Sequence, residues 1–325
     1  MEKISTARYF IFSVDTEPDA ARWAGHSPEN ATCENFAALE ELGGLLEKYA
    51  VRATFYVSYS AARNPKVQSV LSGLATGPGC EVGTHFHPGE TPPYTADRTD
   101  NVLALEDEIL ESKFISLHSQ VHDLFGAPRT FRAGAWTIDK RLIGLLARHA
   151  YTSDSSVTPG ICWNLIGRPD YRRCSFEPYR LREHPQVMEV PVTIRSGGLF
   201  THAEAHIGSL FTMPLASRVG PHWSLFRRAT PFRPLWLRPA TSTTGQMNRI
   251  FKTAMEQTGV AHAMVHSNEF AVGTSPYSRT PRQLGEIRKK TEELFGFASE
   301  CGCTPVTVSE FVDAVGKVQV SSAAE

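Results

Sequence analysis

The sequence predicts an α/β protein, a distorted (β/α) barrel of about seven parallel strands, and three observations predict it. Short apolar runs rich in β-branched and aromatic residues alternate with helical patterns from the first residues onward. Residues able to carry chemistry stand directly after those runs, where the rim of such a barrel gathers side chains from several strands. The alternation extends over most of the 325 residues with no internal repeat or low-complexity tract, so one catalytic domain spanning 1–325 is expected.

Each element has its own signal. Strand candidates are residues 9–14, 51–57, 81–84, 130–132, 151–154, 187–194, 261–266 and 305–308. A helix is expected over 34–49. Another is expected over 100–125, where Leu110, Phe114, Leu117, Val121 and Leu124 alternate spacings of four and three and make one apolar stripe. Thr280-Pro-Arg-Gln283 opens a third, which runs to residue 297: a capping Thr, a first-turn Pro and a Gln three residues on. The stretch 195–245 is different. Rich in Pro and aromatic residues (Pro214, Trp223, Phe226, Pro231, Phe232, Pro234, Trp236) and weakly periodic, it reads as an insertion or lid without a core of its own.

Composition removes several function classes. With 33 Lys+Arg against 34 Asp+Glu, the net charge of -1 lacks the basic excess that phosphate neutralisation requires, so no nucleic-acid partner is expected. The opening MEKISTARYFIFSVD is apolar over too short a run, and acidic too soon, for a signal peptide or membrane anchor; a cytoplasmic protein with no integral membrane segment is expected. The six cysteines (Cys33, Cys80, Cys162, Cys174, Cys301, Cys303) contain no C-x-x-C pair and read as reduced, mostly buried thiols.

Asp15-Thr-Glu17 follows the first strand run. In an extended chain residues two apart face the same way, so both carboxylates can enter one cavity, one to bind a cation and one to move protons. Alone, the pair reads more readily as two solvated loop acids or a helix cap. His85-Phe-His87 ends another strand with the same spacing of two. Two imidazoles, a carboxylate and an open position are the make-up of a catalytic divalent site, zinc above all, whereas a lone His pair is more often structural.

Two further histidine pairs are weaker. His118 and His122 lie one turn apart on the 100–125 helix without the Glu that a zinc protease places beside the first His, and read as a solvated helix face. In His202-Ala-Glu204-Ala-His206 the Glu is displaced by one position, which leaves at most a role in a substrate groove. Trp223, Phe226, Phe232 and Trp236 read as core, or as a stacking platform for sugar rings.

From Phe12 to about Phe311 the chain resembles the polysaccharide deacetylase family, with five motifs in the family's order. Phe12-Ser-Val-Asp15-Thr-Glu17 is similar to the first motif and Glu81-Val-Gly-Thr-His85-Phe-His87-Pro to the second. Phe131-Arg132-Ala-Gly is similar to the third, Tyr151-Thr-Ser-Asp154 to the fourth and Met264-Val-His266-Ser to the fifth. Ser275-Pro-Tyr277 is similar to a branch associated with bacterial surface-polysaccharide synthesis. The chain departs from the common pattern by having Asp-x-Glu in place of adjacent Asp residues, and His-x-His in place of His residues four apart.

The resemblance implies a metal-dependent deacetylase. Asp15 would be the general base, His266 the general acid, and Arg132 the partner that orients Asp15, with Asp154 beside it. Glu17, His85 and His87 would hold the metal, and Trp136 and Trp163 would line a small pocket for the acyl methyl. The implied substrate is an acylated amino sugar, nucleotide- or lipid-linked, on its way to the cell surface. Two rival readings are a barrel that binds a glycan without cleaving it and a metal hydrolase for another small amide. A binder needs none of Asp15, Arg132 and His266.

Overall fold

A computed structural model describes residues 7–20, 31–77, 79–94, 99–196 and 234–322. The chain runs β1 (Tyr9–Thr16), α1 (Leu39–Lys48), β2 (Ala53–Val57), α2 (Pro65–Thr76), β3 (Glu81–Phe86), α3 (Asp107–Phe125), β4 (Thr130–Ala133) and α4 (Lys140–Arg148). It continues through β5 (Ser153–Asp154), β6 (Tyr179–Arg180), β7 (Met188–Glu189), β8 (Ile194–Ser196), β9 (Pro234–Trp236) and α5 (Thr244–Thr258). It ends with β10 (Val260–His266), α6 (Pro281–Glu300), β11 (Thr304–Val306) and α7 (Val308–Ser322).

The main sheet has the order β10-β1-β2-β3-β4-β5-β7-β6, and β11 also pairs with β1. The path from β10 to β7 is parallel throughout, seven strands, and only β6 is antiparallel to its neighbour. The sheet curls into a half-barrel, and the segment after β7 meets the other end of it. The Thr193 N–H donates to the His262 carbonyl (2.9 Å), and the His262 N–H donates to Thr193 Oγ1 (2.8 Å). The predicted α/β fold, a distorted (β/α) barrel of about seven parallel strands, is thus observed as a curled half-barrel.

β1 shows how the sequence builds the two sides of this wall. Phe10, Phe12 and Val14 are buried against the helices, while Ile11 belongs to an inner cluster with Tyr56, Val190, Val260, Val308 and Phe311. Period-two alternation then places Ser13, Asp15 and Glu17 above Ile11 on the inner side, so the barrel's filling changes from apolar to polar along one strand. α7 supplies Val308, Phe311 and Val312 to the apolar end.

Several boundaries differ from those expected. The run 187–194 is two strands, β7 and β8, because Pro191 between them has no N–H to give to a ladder. The 100–125 helix begins at Asp107, after a short 3-10 turn at Val102–Ala104, and residues 34–38 are 3-10 rather than α. α2, α4, α5 and α7 were not anticipated, although at α5 Thr243 with Gln246 forms a capping box, as do Thr307 and Glu310 at α7 by mutual hydrogen bonds. The Thr280–Gln283 capping box of α6 is present as expected.

Most of the 195–245 stretch, including Pro214, Trp223, Phe226, Pro231, Phe232 and the His202-Ala-Glu204-Ala-His206 run, lies outside the described residues. Its two ends are tied together: β8 and β9 pair antiparallel, Ile194 with Trp236 and Ser196 with Pro234. All six cysteines are unpaired. No helix among the described residues is long and apolar enough to cross a membrane.

Candidate active site

Sheet register brings the distant motifs together. Asp15 is the register partner of His266 across β1 and β10, and His85 is that of Arg132 across β3 and β4. Glu17 and His87 each follow two residues later, past their strand ends. The result is a cavity of about 270 Å³ whose walls include Asp15, Glu17, His85, His87, Trp136 and His266.

Three buried donors converge there. Glu17 Oε2 lies 2.8 Å from His87 Nε2 and 3.2 Å from His85 Nε2, and the two imidazole nitrogens are 3.2 Å apart. Among the described residues this is the one group of three or more His, Cys, Asp or Glu side chains close enough to share an ion. His85 Nδ1 faces the Arg132 carbonyl at 3.1 Å; it donates there and leaves Nε2 as a lone pair aimed at Glu17. His87 Nδ1 faces Asp100 at 3.6 Å, and its Nε2 is turned to Glu17 Oε2. A carboxylate and two lone pairs so close together repel unless a cation or a proton joins them, so this donor set fits a divalent ion. Burial pushes the His87 imidazole down, but Asp100 and Glu17 outweigh it and hold it well above the usual histidine range.

Backbone geometry makes room for the rings. A Cβ on Gly134 would fall 2.6 Å from the His87 ring, so that position accepts only glycine at this approach. The next two residues, Ala135 and Trp136, both take positive φ (51° and 59°), and Tyr171 Oη donates to the Trp136 carbonyl (2.5 Å). Left-handed residues with side chains cost on the order of 1–3 kcal/mol each, and here the strain sets the Trp136 indole in the cavity wall. Below His87, the buried Lys113 ammonium donates to the carbonyls of Pro88 (2.9 Å), Thr91 (2.7 Å) and Pro93 (2.6 Å), ordering the loop after the second motif.

Arg132 lies beneath the cavity, fully buried. Nη1 donates to Asp15 Oδ1 (2.5 Å), Nη2 to Ser13 Oγ (3.0 Å) and Nε to the Ser155 carbonyl (3.1 Å), and the guanidinium stacks on Tyr56. Burial pushes the Asp15 carboxyl up; the Arg132 guanidinium, with His85 and His266, outweighs burial and holds it below the usual carboxylate value. His266 Nε2 stands across from Asp15 Oδ2 (3.7 Å) and Glu17 Oε1 (3.8 Å).

Two expected residues stand elsewhere. Asp154 accepts from Ser156 Oγ and is paired with Glu189; its register partner Phe131 packs against the helices, so Asp154 sits on the outer side of the wall, away from the cavity. Arg132 reaches the carbonyl of Ser155, the residue after β5, instead. Burial and the nearby Asp154 push the Glu189 carboxyl well up. Trp163 is tied by its indole N–H to Thr158 Oγ1 (2.9 Å) and does not line the cavity; only Trp136 of the two tryptophans does.

No protein-family model matches the chain, and no curated protein matches it. Solved structures do. One from Mycobacterium smegmatis, assigned as a polysaccharide deacetylase, covers 98% of this chain and 94% of its own at 14% identity, with a TM-score of 0.54. The fold is that of a polysaccharide deacetylase. The chitin deacetylase of the fungus Colletotrichum lindemuthianum aligns over 94% of this chain and 88% of its own, at 13% identity and a TM-score of 0.46.

Within the deacetylase fold, several site residues were not read from the sequence. Ser13 and His262 are polar residues at inward positions of apolar strands; the same period-two count that paired Asp15 with Glu17 would have found them. His262 Nε2 lies 2.9 Å from Ser13 Oγ, and burial, with Arg132 beside it, holds this imidazole down at about 3. Asp100, Lys113 and Arg238 carry no local signal, since they come from segments that reach the site only through tertiary packing. His118, read as a solvated face, is half-buried with Nδ1 against Tyr151 Oη (3.1 Å), while His122 is exposed.

Proposed function

We propose that the protein is a metal-dependent hydrolase that removes an acyl group, N-acetyl above all, from an amino sugar, with residues 1–325 forming one catalytic domain. The observation that carries this reading is that His266 Nε2 and Asp15 Oδ2, 3.7 Å apart, flank the Glu17–His85–His87 cluster in one cavity. A base, an acid and an ion-binding set within reach of a single carbonyl are what amide hydrolysis needs. The deacetylase fold supports it.

Glu17, His85 and His87 would hold zinc or a similar divalent ion, which supplies a Lewis acid for the acyl carbonyl and the attacking water. Asp15, kept ionised by Arg132, takes a proton from that water. His266, in its protonated form, delivers a proton from Nε2 to the departing sugar nitrogen, too basic to leave as an anion. Asp15 then returns its proton to Nε2. Trp136 offers an apolar wall for the acyl methyl. Asp154, on the outer side of the sheet, would act only by bracing β5.

A nucleotide- or lipid-linked sugar met in the cytoplasm is the proposed form of the substrate, on the Ser275-Pro-Tyr277 resemblance. Acetate release from N-acetylated sugars free, nucleotide-linked, lipid-linked and polymeric, with bound metal assayed in parallel, tests both parts. Release only from long polymers counts against the linked precursor. Sugar binding without release by the metal-loaded protein would establish the glycan-binding reading, and release only from non-sugar amides the other hydrolase reading.

A further inference from the structure

The reading of His266 as the acid uses one ring nitrogen; the other has partners of its own. Arg238 Nη2 stands 2.9 Å from His266 Nδ1, and Glu269 Oε1 stands 3.6 Å from the same atom. Arg238 and Glu269 form an ion pair with side chains 14% and 1% exposed, Arg238 Nε donating to Glu269 Oε1 at 2.8 Å. The Tyr277 ring covers the guanidinium at 5.3 Å. Glu269 lies three residues after His266, on the 3-10 turn that follows β10, and Arg238 lies just past β9.

The donors and acceptors around the ring are sorted by side. A guanidinium has only donors, so where it bonds Nδ1 that atom offers its lone pair and the proton of the neutral ring sits on Nε2. Nε2 in turn faces the acceptors Asp15 Oδ2 and Glu17 Oε1. Glu269 Oε1 is the acceptor at hand when Nδ1 carries a proton. A ring turned about its Cβ–Cγ bond would lose both matches.

We propose that Arg238 and Glu269 are positioning residues that fix the His266 ring with Nε2 toward the reacting atoms, Tyr277 shielding the pair from water. Neither touches substrate. The inference rests on the deacetylase reading for its consequence in catalysis, but not for the ring geometry itself. Solvent-exposed ion pairs contribute little, whereas a pair desolvated this far holds a defined geometry because the alternative is an uncompensated buried charge.

The experiment compares the full-length, zinc-loaded wild type with R238M, R238K and E269Q on two substrates. An N-acetylated amino sugar has a leaving amine that needs a proton; 4-nitrophenyl acetate has a leaving phenolate that does not. R238M and E269Q are expected to lose at least about tenfold more kcat on the amide than on the ester, with bound zinc and KM held, and R238K to recover part of it. Equal losses on both substrates overturn the proposal, and if R238M fails to fold, R238K and E269Q carry the same comparison. Imidazole nitrogen NMR of histidine-labelled protein reads the ring without turnover. His266 is expected as a single Nε2–H tautomer in the wild type and as a mixture in E269Q and the Arg238 variants. An unchanged tautomer in the variants overturns the proposal. A wild type with the expected tautomer that cleaves neither substrate supports the positioning and overturns the deacetylase reading instead.

Discussion

Arg132 and Asp15 meet in an ion pair shut off from water: Nη1 stands 2.5 Å from Oδ1, and the side chains are 0% and 1% exposed. Every other direction of the guanidinium is also engaged, by Ser13, the Ser155 carbonyl and the Tyr56 ring. Arg132→Met would leave Asp15 a buried carboxylate without its counter-charge. Breaking such a pair from one side costs about 3–5 kcal/mol, so a loss of that order in unfolding free energy is expected by urea titration. The double variant R132M/D15N should recover part of it, since the stranded charge is gone. A double variant as unstable as the sum of the singles would mean that the two residues do not act as a pair.

His262 sets a pH dependence beside that pair. Burial and the Arg132 charge hold its imidazole down at about 3, far below the ordinary histidine value of ~6.5. Between those values the unfolded chain binds a proton that the folded one refuses, so stability falls as pH drops from about 6.5 toward 3, by up to ~1.4 kcal/mol per pH unit. His262→Asn should flatten that part of the curve. Asp15, held low, contributes in the same direction at its acid end, its stabilisation present above the ordinary carboxylate value of about 4 and lost below it. Unfolding free energies measured from pH 7 to pH 4 for wild type and variant decide this, and parallel curves would show that His262 is not the group responsible.

The sequence carried most of the fold because strand, turn and cap signals are local. Period two after the first strand run put Asp15 and Glu17 on one face, and the Thr280 capping box marked the start of α6 to the residue, though not its end at Glu300. It could not place Asp154, because two residues of strand do not reveal which side of the wall each faces. Nor could it separate Trp136 from Trp163. The choice between them lies in a left-handed turn at Ala135 and Trp136 and in a bond from Trp163 to Thr158, both consequences of tertiary packing. Arg238 was out of reach for another reason. It follows a long weakly periodic stretch, and its meaning comes only from the approach of the residues just after β9 to β10, where the Met264 N–H donates to the Leu237 carbonyl (3.2 Å).

Gly134 tests how tightly the ion-binding set is built. Its missing Cβ is the space taken by the His87 ring, 2.6 Å from where that atom would stand. Gly134→Ala should push the ring off its line to Glu17 Oε2 while leaving the strands in place. Displaced supports of a ligating imidazole typically cost ~10–100-fold in metal affinity, and that is the weakening expected by competition with a chelator. Wild-type affinity in a folded Gly134→Ala protein would argue that His87 stands behind the ligand set rather than in it.

The two acids of the first motif separate by what each loses. Glu17 Oε2 stands within 3.2 Å of both imidazole nitrogens, whereas Asp15 is committed through Oδ1 to Arg132 and turns Oδ2 toward His266. Asp15→Asn keeps an oxygen for Arg132 and leaves the three donors untouched, so its metal content should match the wild type while turnover falls ~100-fold or more, the usual size of a general-base contribution. Glu17→Ala and His85→Ala each remove one of the three donors and should lose the metal itself. Elemental analysis beside acetate release on the same three preparations separates the roles. A metal-free Asp15→Asn protein beside a fully loaded Glu17→Ala protein would exchange them, making Asp15 the ligand and Glu17 the base.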